Sequence, residues 1–197
     1  MIYLYHTPLS NILSNDLTPL DKKQIIANHR HAHLIHFCQN NHLPIPIYDK
    51  YDNGKPFIAN ISNLHFNQSH CETDYALIYS LTIQNIGVDI ENANRKLNKN
   101  TLSKRYFHDD EYHAWQNSQD DKLWFAYWTI KEAVLKASGL GIRLSLNELK
   151  AVFMTQDSGY VCHDKIGKFY FKNIYIGECV ITVAYPFDFG VVGIVGV

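Results

Sequence analysis

Apolar residues recur at helical spacing after Asp120 and Asp121. Leu123, Tyr127, Ile130 and Val134 form one stripe, the aspartates can cap its start, and Gly139 and Gly141 mark its stop. Trp128, Glu132 and Lys136 lie four residues apart on this helix and share a face, with Trp128 fixing the helix in the core. The order of Glu132 and Lys136 favours an i,i+4 ion pair. A second helical region runs from Asp21 to about Asn41, in two pieces, with Ile25, Ile26, Leu34, Ile35 and Phe37 facing a core. Pro44 and Pro46 end it, and a shorter helix follows residue 108 to about Trp115. Strands are predicted over residues 2–6, 64–67, 75–82 and 85–90, with residues 92–100 a polar loop. From about Leu149 the chain turns strand-rich, over 151–153, 169–171, 179–185 and 190–197, the last apolar enough to be buried. The same order of elements appears roughly twice, with a break near residues 84–87. This predicts an α+β fold of two similar-sized halves, 1–85 and 86–197, with a cleft between them.

Polar residues sharpen that outline. In Gly87-Val88-Asp89-Ile90-Glu91 the two acids are i and i+2 on a strand, so their carboxylates point to one side. Such close like charges call for a cation, a proton or solvent. An all-oxygen set suits Mg²⁺ or Mn²⁺, most of all when a substrate adds phosphate oxygens. Ser69 and His70 are adjacent at a strand end and point to opposite sides, which suits ligand binding better than a nucleophile–base pair. Asp52-Asn53-Gly54 signals a turn, and Lys55-Pro56 after it offers a lysine beside an anion. His29, Arg30, His31, His33 and His36 crowd the first long helix. They read as a solvated, mildly basic face that could contact phosphate. His29 and His33 could share a metal, but no carboxylate or thiolate completes the site. Glu111 reads as a solvated first-turn acid.

The 197 residues, 46% hydrophobic and 19% charged, suffice for one large or two small domains. A net charge of −1 argues against a broad nucleic-acid or anionic-membrane partner. Four cysteines without a CxxC spacing predict reduced thiols in a cytoplasmic protein. The first residues lack the pattern of a signal peptide, and no apolar run is long enough for a bilayer.

Gly-Val-Asp-Ile-Glu at 87–91, a Phe-x-x-x-Glu segment at 107–111 and Trp-Thr-x-Lys-Glu-Ala-x-x-Lys at 128–136 resemble the 4′-phosphopantetheinyl transferases. Gly54-Lys55-Pro56 and Phe66-Asn67-x-Ser69-His70 are similar to the Sfp-type subgroup, while Gln68 and Cys71-Glu72-Thr73-Asp74 depart from its usual residues. The resemblance implies an α+β fold of two pseudo-symmetric halves, each a small, mostly antiparallel sheet packed with helices, with coenzyme A and Mg²⁺ in the active site at their interface. It implies transfer of 4′-phosphopantetheine to a serine of an apo carrier protein, with release of 3′,5′-ADP. Under it, Asp89, Glu91 and Glu132 hold the metal, and Lys136 contacts the diphosphate. Lys55, Ser69 and His70 bind coenzyme A, joined by Lys131 and Arg30. Glu132 is the candidate base, with Glu111 a minor alternative. Two halves in one chain imply a monomer. A non-catalytic coenzyme A- or carrier-binding paralogue and another Mg²⁺-dependent phosphoryl transferase are the competing readings.

Overall fold

A computed structural model describes residues 1–14, 16–52, 54–186 and 194–196, with the backbone alone at 142 and 194–196. The chain begins with β1 (Ile2–Pro8), α1 (Pro19–Asn40), β2 (Tyr48–Lys50), β3 (Pro56–Ile58), β4 (His65–His70) and β5 (Asp74–Ser80). It continues through β6 (Gly87–Asn92), α2 (Lys99–Tyr106), α3 (Asp109–Ser118) and α4 (Asp121–Ser138). It finishes with β7 (Ala151–Phe153), β8 (Ser158–His163), β9 (Gly167–Ile176), β10 (Cys179–Tyr185) and β11 (Ile194–Gly196). The fold is α+β, as expected. One sheet has the order β11-β1-β5-β4, the second β6-β10-β9-β8-β7, and β2 pairs with β3. All described pairings are antiparallel except β1 with β11, which is parallel. Thus β11 joins the sheet of the first half. Of the apolar segment 190–197, residues 190–193 and 197 lie outside the described residues, as does Asn53 of the expected turn.

The period-2 alternation of the strands builds four layers. Tyr75, Leu77 and Tyr79 of β5 pack under α1 with Ile26, Leu34 and Phe37. Ala76 and Ile78, on the other face, meet Val88, Ile90, Ile181 and Val183 of the second sheet. That second sheet turns Val180 and Ala184 towards α4, where Trp124, Phe125, Ile130 and Val134 complete a third apolar cluster. Burying each such side chain contributes roughly 1.5–3 kcal/mol. Because the even residues of β6 face the first sheet, Asp89 and Glu91 face α4.

Three links hold this seam. At Gly87 a Cβ would fall 2.1 Å from the Ala133 carbonyl oxygen and 2.6 Å from the Ala137 nitrogen, so only glycine lets α4 approach β6. Asn67 Oδ1 accepts from the Val88 N–H at 3.0 Å, joining the edges of the two sheets. Asp74 accepts from the Cys179 thiol at 3.0 Å and bonds His6 Nε2 at 2.8 Å, tying β10 to β5 and β1. Burial and Asp74 push that thiol up to about 12, so it stays a protonated donor.

Several elements depart from the sequence reading. α1 is one continuous helix: Thr18 caps it, Pro19 starts it, and Asn41 is its C-cap. His36 is exposed, whereas His29 bonds the Tyr5 hydroxyl and His33 that of Tyr79, on the sheet. Burial lowers the pKa of both imidazoles, which opposes the expected basic face. α2 occupies part of the expected polar loop, started by the Asn98 side chain accepting from the Thr101 N–H. β8 is an additional strand between β7 and β9. Among the described residues no helix is long and apolar enough to cross a membrane.

Candidate active site

α4 carries the helical half of the site. Asp120 caps it through the Lys122 N–H, and Gly139 closes it in a left-handed conformation (φ 74°). Buried Thr129 bonds Thr182 of β10 at 2.7 Å, fixing the roll of the helix on the sheet. Trp128, Glu132 and Lys136 then face β4 and β6 across a cavity of about 430 Å³ lined also by Gln68, Ser69, His70, Asp89 and Glu91. Trp128 is half-buried against Trp124 (ring centroids 5.5 Å apart, 11° between planes) and forms a cavity wall, where the sequence suggested a core residue.

Lys136 Nζ is the hub. It donates to Asp89 Oδ1 at 2.7 Å, Ser69 Oγ at 2.8 Å and the Val88 carbonyl at 3.2 Å. Ser69 Oγ donates to the same Asp89 oxygen at 2.7 Å. The expected Glu132–Lys136 pair is replaced by a pair from helix to strand, because β6 comes so close at Gly87. Asp89 Oδ2 is buried and has no hydrogen-bond partner. Burial and the Asp89 charge both raise the pKa of Glu132, against a smaller pull from Lys136. Burial and Asp89 raise Glu91 likewise, opposed by Arg95, whose Nη1 lies 2.9 and 3.0 Å from its two oxygens. Burial and Lys136 lower the His70 imidazole, opposed by Asp89.

An orphaned, buried Asp89 oxygen with Glu91 and Glu132 lining the same cavity is a donor set that fits a hard divalent cation. The oxygens of Asp89, Glu91 and Glu132 do not close to within 4.8 Å of one another. The described trio that does is His6, Asp74 and Cys179, whose hydrogen bonds already satisfy each other.

A larger cavity of about 730 Å³ is lined by Lys55, His65, Phe66 and Arg143 among others. Lys55 Nζ donates to the Lys136 carbonyl at 2.6 Å, so the lysines of the two cavities are coupled through α4. Burial brings the Lys55 ammonium down to about 8.

Three sequence-singled residues lie elsewhere. Lys131 is fully buried on the opposite side of α4, 2.7 Å from Glu111 and bonded to the Leu146 and Leu149 carbonyls. It lines neither cavity and does not reach a ligand there. Glu111 is also buried: it accepts from the backbone N–H groups of His108 and Ala151, so it is neither solvated nor available as a base in the cavity. Arg30 stacks over the rings of Tyr48 and Phe66, at 4.8 and 5.2 Å, one layer behind the larger cavity. Sequence reasoning missed Arg95 and Arg143. Each sits in a connection without periodicity, and only its positive charge near an acidic or lysine-bearing motif hinted at a role.

The site thus combines carboxylates from a strand and a helix with a lysine alongside. The model of the 4′-phosphopantetheinyl transferase superfamily matches residues 85–184, and the chain belongs to that family. It is 34% identical over 106 residues to the 4′-phosphopantetheinyl transferase gsp of Aneurinibacillus migulanus, covering 51% of this chain and 41% of that protein. It is 37% identical over 101 residues to HetI of a Nostoc species, covering 48% and 42%. It is 32% identical over 107 residues to Sfp of Bacillus subtilis, covering 53% and 46%. The matched stretch thus spans less than half the length of each of these relatives.

Proposed function

We propose that this chain is an Sfp-type 4′-phosphopantetheinyl transferase that moves phosphopantetheine from coenzyme A to a serine of an apo acyl or peptidyl carrier protein. The observation that carries the reading is the buried, unpartnered Asp89 Oδ2 in a cavity shared with Glu91, Glu132 and Lys136. Family membership supports the same chemistry. Asp89, Glu91 and Glu132 would hold Mg²⁺, or Mn²⁺. When bound, the ion neutralises diphosphate charge and polarises the phosphorus under attack.

The chain's own groups do the rest. Lys136, already at the Asp89 edge, is placed to meet the diphosphate, with His70 and Ser69 on the facing strand. Lys55 adds charge in the neighbouring cavity, which has room for more of coenzyme A. The carrier serine oxygen bonds to the pantetheine-bearing phosphorus, and the bond from that phosphorus to the bridging oxygen breaks. 3′,5′-ADP leaves, and the serine proton passes to Glu132. We further propose a monomer working in the cytoplasm, and the four free cysteines support that compartment.

The test incubates purified protein with coenzyme A, MgCl₂ and a panel of apo carrier proteins, read by intact mass. A phosphopantetheine mass gain on a carrier serine, lost on Glu132→Gln, is the expected result. No gain on any carrier, with coenzyme A still bound, would instead favour a non-catalytic binding protein.

A further inference from the structure

Arg95 has no part in the transfer as proposed, yet it holds one of the three carboxylates. The turn after β6 places it: its N–H donates to the Asn92 carbonyl at 3.0 Å, and Ala93 is anchored by the Glu178 carbonyl at 2.8 Å. The chain therefore folds back and lays the guanidinium on Glu91. The contact has a particular form. One nitrogen, Nη1, bridges both carboxylate oxygens almost equally, at 2.9 and 3.0 Å. That is the seat a cation chelated by the carboxylate would take, and the two positive groups cannot share it. Glu91 is the more enclosed partner, with 12% of its side chain exposed against 37% for Arg95, so the arginine is free to move outward. Each strand acid thus already has a cation of its own: Lys136 holds Asp89 and Arg95 holds Glu91.

We propose that Arg95 is a resident counter-ion of Glu91 that an incoming divalent cation must displace, so that the Arg95–Glu91 pair and cation binding exclude each other. This rests on the reading of Asp89, Glu91 and Glu132 as a cation site. Its consequence is a raised cation requirement: the ion pair keeps a half-buried acid neutralised until a divalent ion competes for it.

The experiment titrates the protein with Mn²⁺ alone, without coenzyme A or carrier, reading free Mn²⁺ by electron paramagnetic resonance. Wild type, Arg95→Gln, Lys96→Gln and Glu132→Gln are compared, with a thermal melt confirming that each is folded. Arg95→Gln should bind Mn²⁺ about tenfold more tightly. Lys96→Gln removes an exposed neighbouring charge and should change the affinity less than about twofold, since screening weakens exposed charges. Unchanged or weaker binding by Arg95→Gln overturns the proposal, as does equal tightening by Lys96→Gln, which would make the effect one of general charge. Should Arg95→Gln fail to fold, Arg95→Met, which keeps the aliphatic stem and removes the charge, must still tighten binding. If wild type and Glu132→Gln bind Mn²⁺ identically, the cation-site reading itself falls, and this inference with it.

Discussion

Lys136 Nζ lies 2.7 Å from Asp89 Oδ1 on the neighbouring strand and makes no hydrogen bond to Glu132, one turn back on its own helix. The helix thus gives its cation to the sheet and leaves Glu132 to burial. Lys136→Met should strand a buried carboxylate. Exposed pairs contribute roughly 0–1 kcal/mol, and breaking a buried one costs roughly 3–5 kcal/mol. With 30% of the lysine side chain exposed and 8% of the aspartate, a loss of about 2 kcal/mol is expected in urea unfolding. Asp89→Asn in the same background should recover part of it, and a fully additive double variant would contradict the pairing.

Gly87→Ala probes how closely α4 must sit. The new Cβ would clash with helix backbone, which cannot rotate away as a side chain tip can. We expect a loss of roughly 1–3 kcal/mol, as for overpacking in a core. We also expect weaker Mn²⁺ binding, because Glu132 rides on the displaced helix.

Lys131 and Glu111 form a buried pair that joins α4, α3 and the 146–151 segment. Lys131→Met should cost roughly 3–5 kcal/mol, since it leaves Glu111 charged in the core. Lys131→Met/Glu111→Gln should lose less than Lys131→Met alone. Coenzyme A affinity per folded molecule should stay at the wild-type level, whereas a lysine contacting phosphate would lower it.

Lys55 gives a pH signature. Its folded-state pKa is depressed from 10.5 to about 8, so the unfolded chain holds a proton that the folded chain gives up between those values. Stability contributed at this site therefore rises as pH climbs from about 8 towards 10.5, and below 8 the full penalty of burying the charge applies. The difference in unfolding free energy between wild type and Lys55→Met should climb over that window. A flat difference would mean that the ammonium is not desolvated.

Much of this architecture could be read from residue order. The acids of Gly-Val-Asp-Ile-Glu alternate on a strand and the α4 stripe repeats at helical spacing, so period shows which side chains share a face of each element, while the resemblance to the family implied that the two faces meet. Lys131 was misread because its position beside Glu132 in a motif does not say which way it points. One residue along a helix rotates the side chain by about 100°, from the cavity into the core. Glu111 looked solvated because an acid in a first turn is stable in water; the Lys131 that buries it lies on another helix. Arg95 left only its charge beside the acidic motif as a sign, because a turn residue has no period and its partner is fixed by how the chain folds back at Asn92. α2 was lost for lack of an apolar stripe: of its residues Ser103 is the buried one, receiving the Trp124 indole N–H at 2.6 Å.

The parallel pairing of β1 with β11 has a kinetic consequence. β1 is an interior strand of its sheet, yet one of its two neighbours is drawn from residues 194–196, almost the whole described sequence away. During synthesis α1, β4 and β5 can assemble around β1 early, but its other edge stays unpaired until β11 arrives. An exposed strand edge is a template for wrong partners, and contacts this distant in sequence form slowly. The first sheet therefore gains its fourth strand only after every residue lining the acidic cavity has been synthesised.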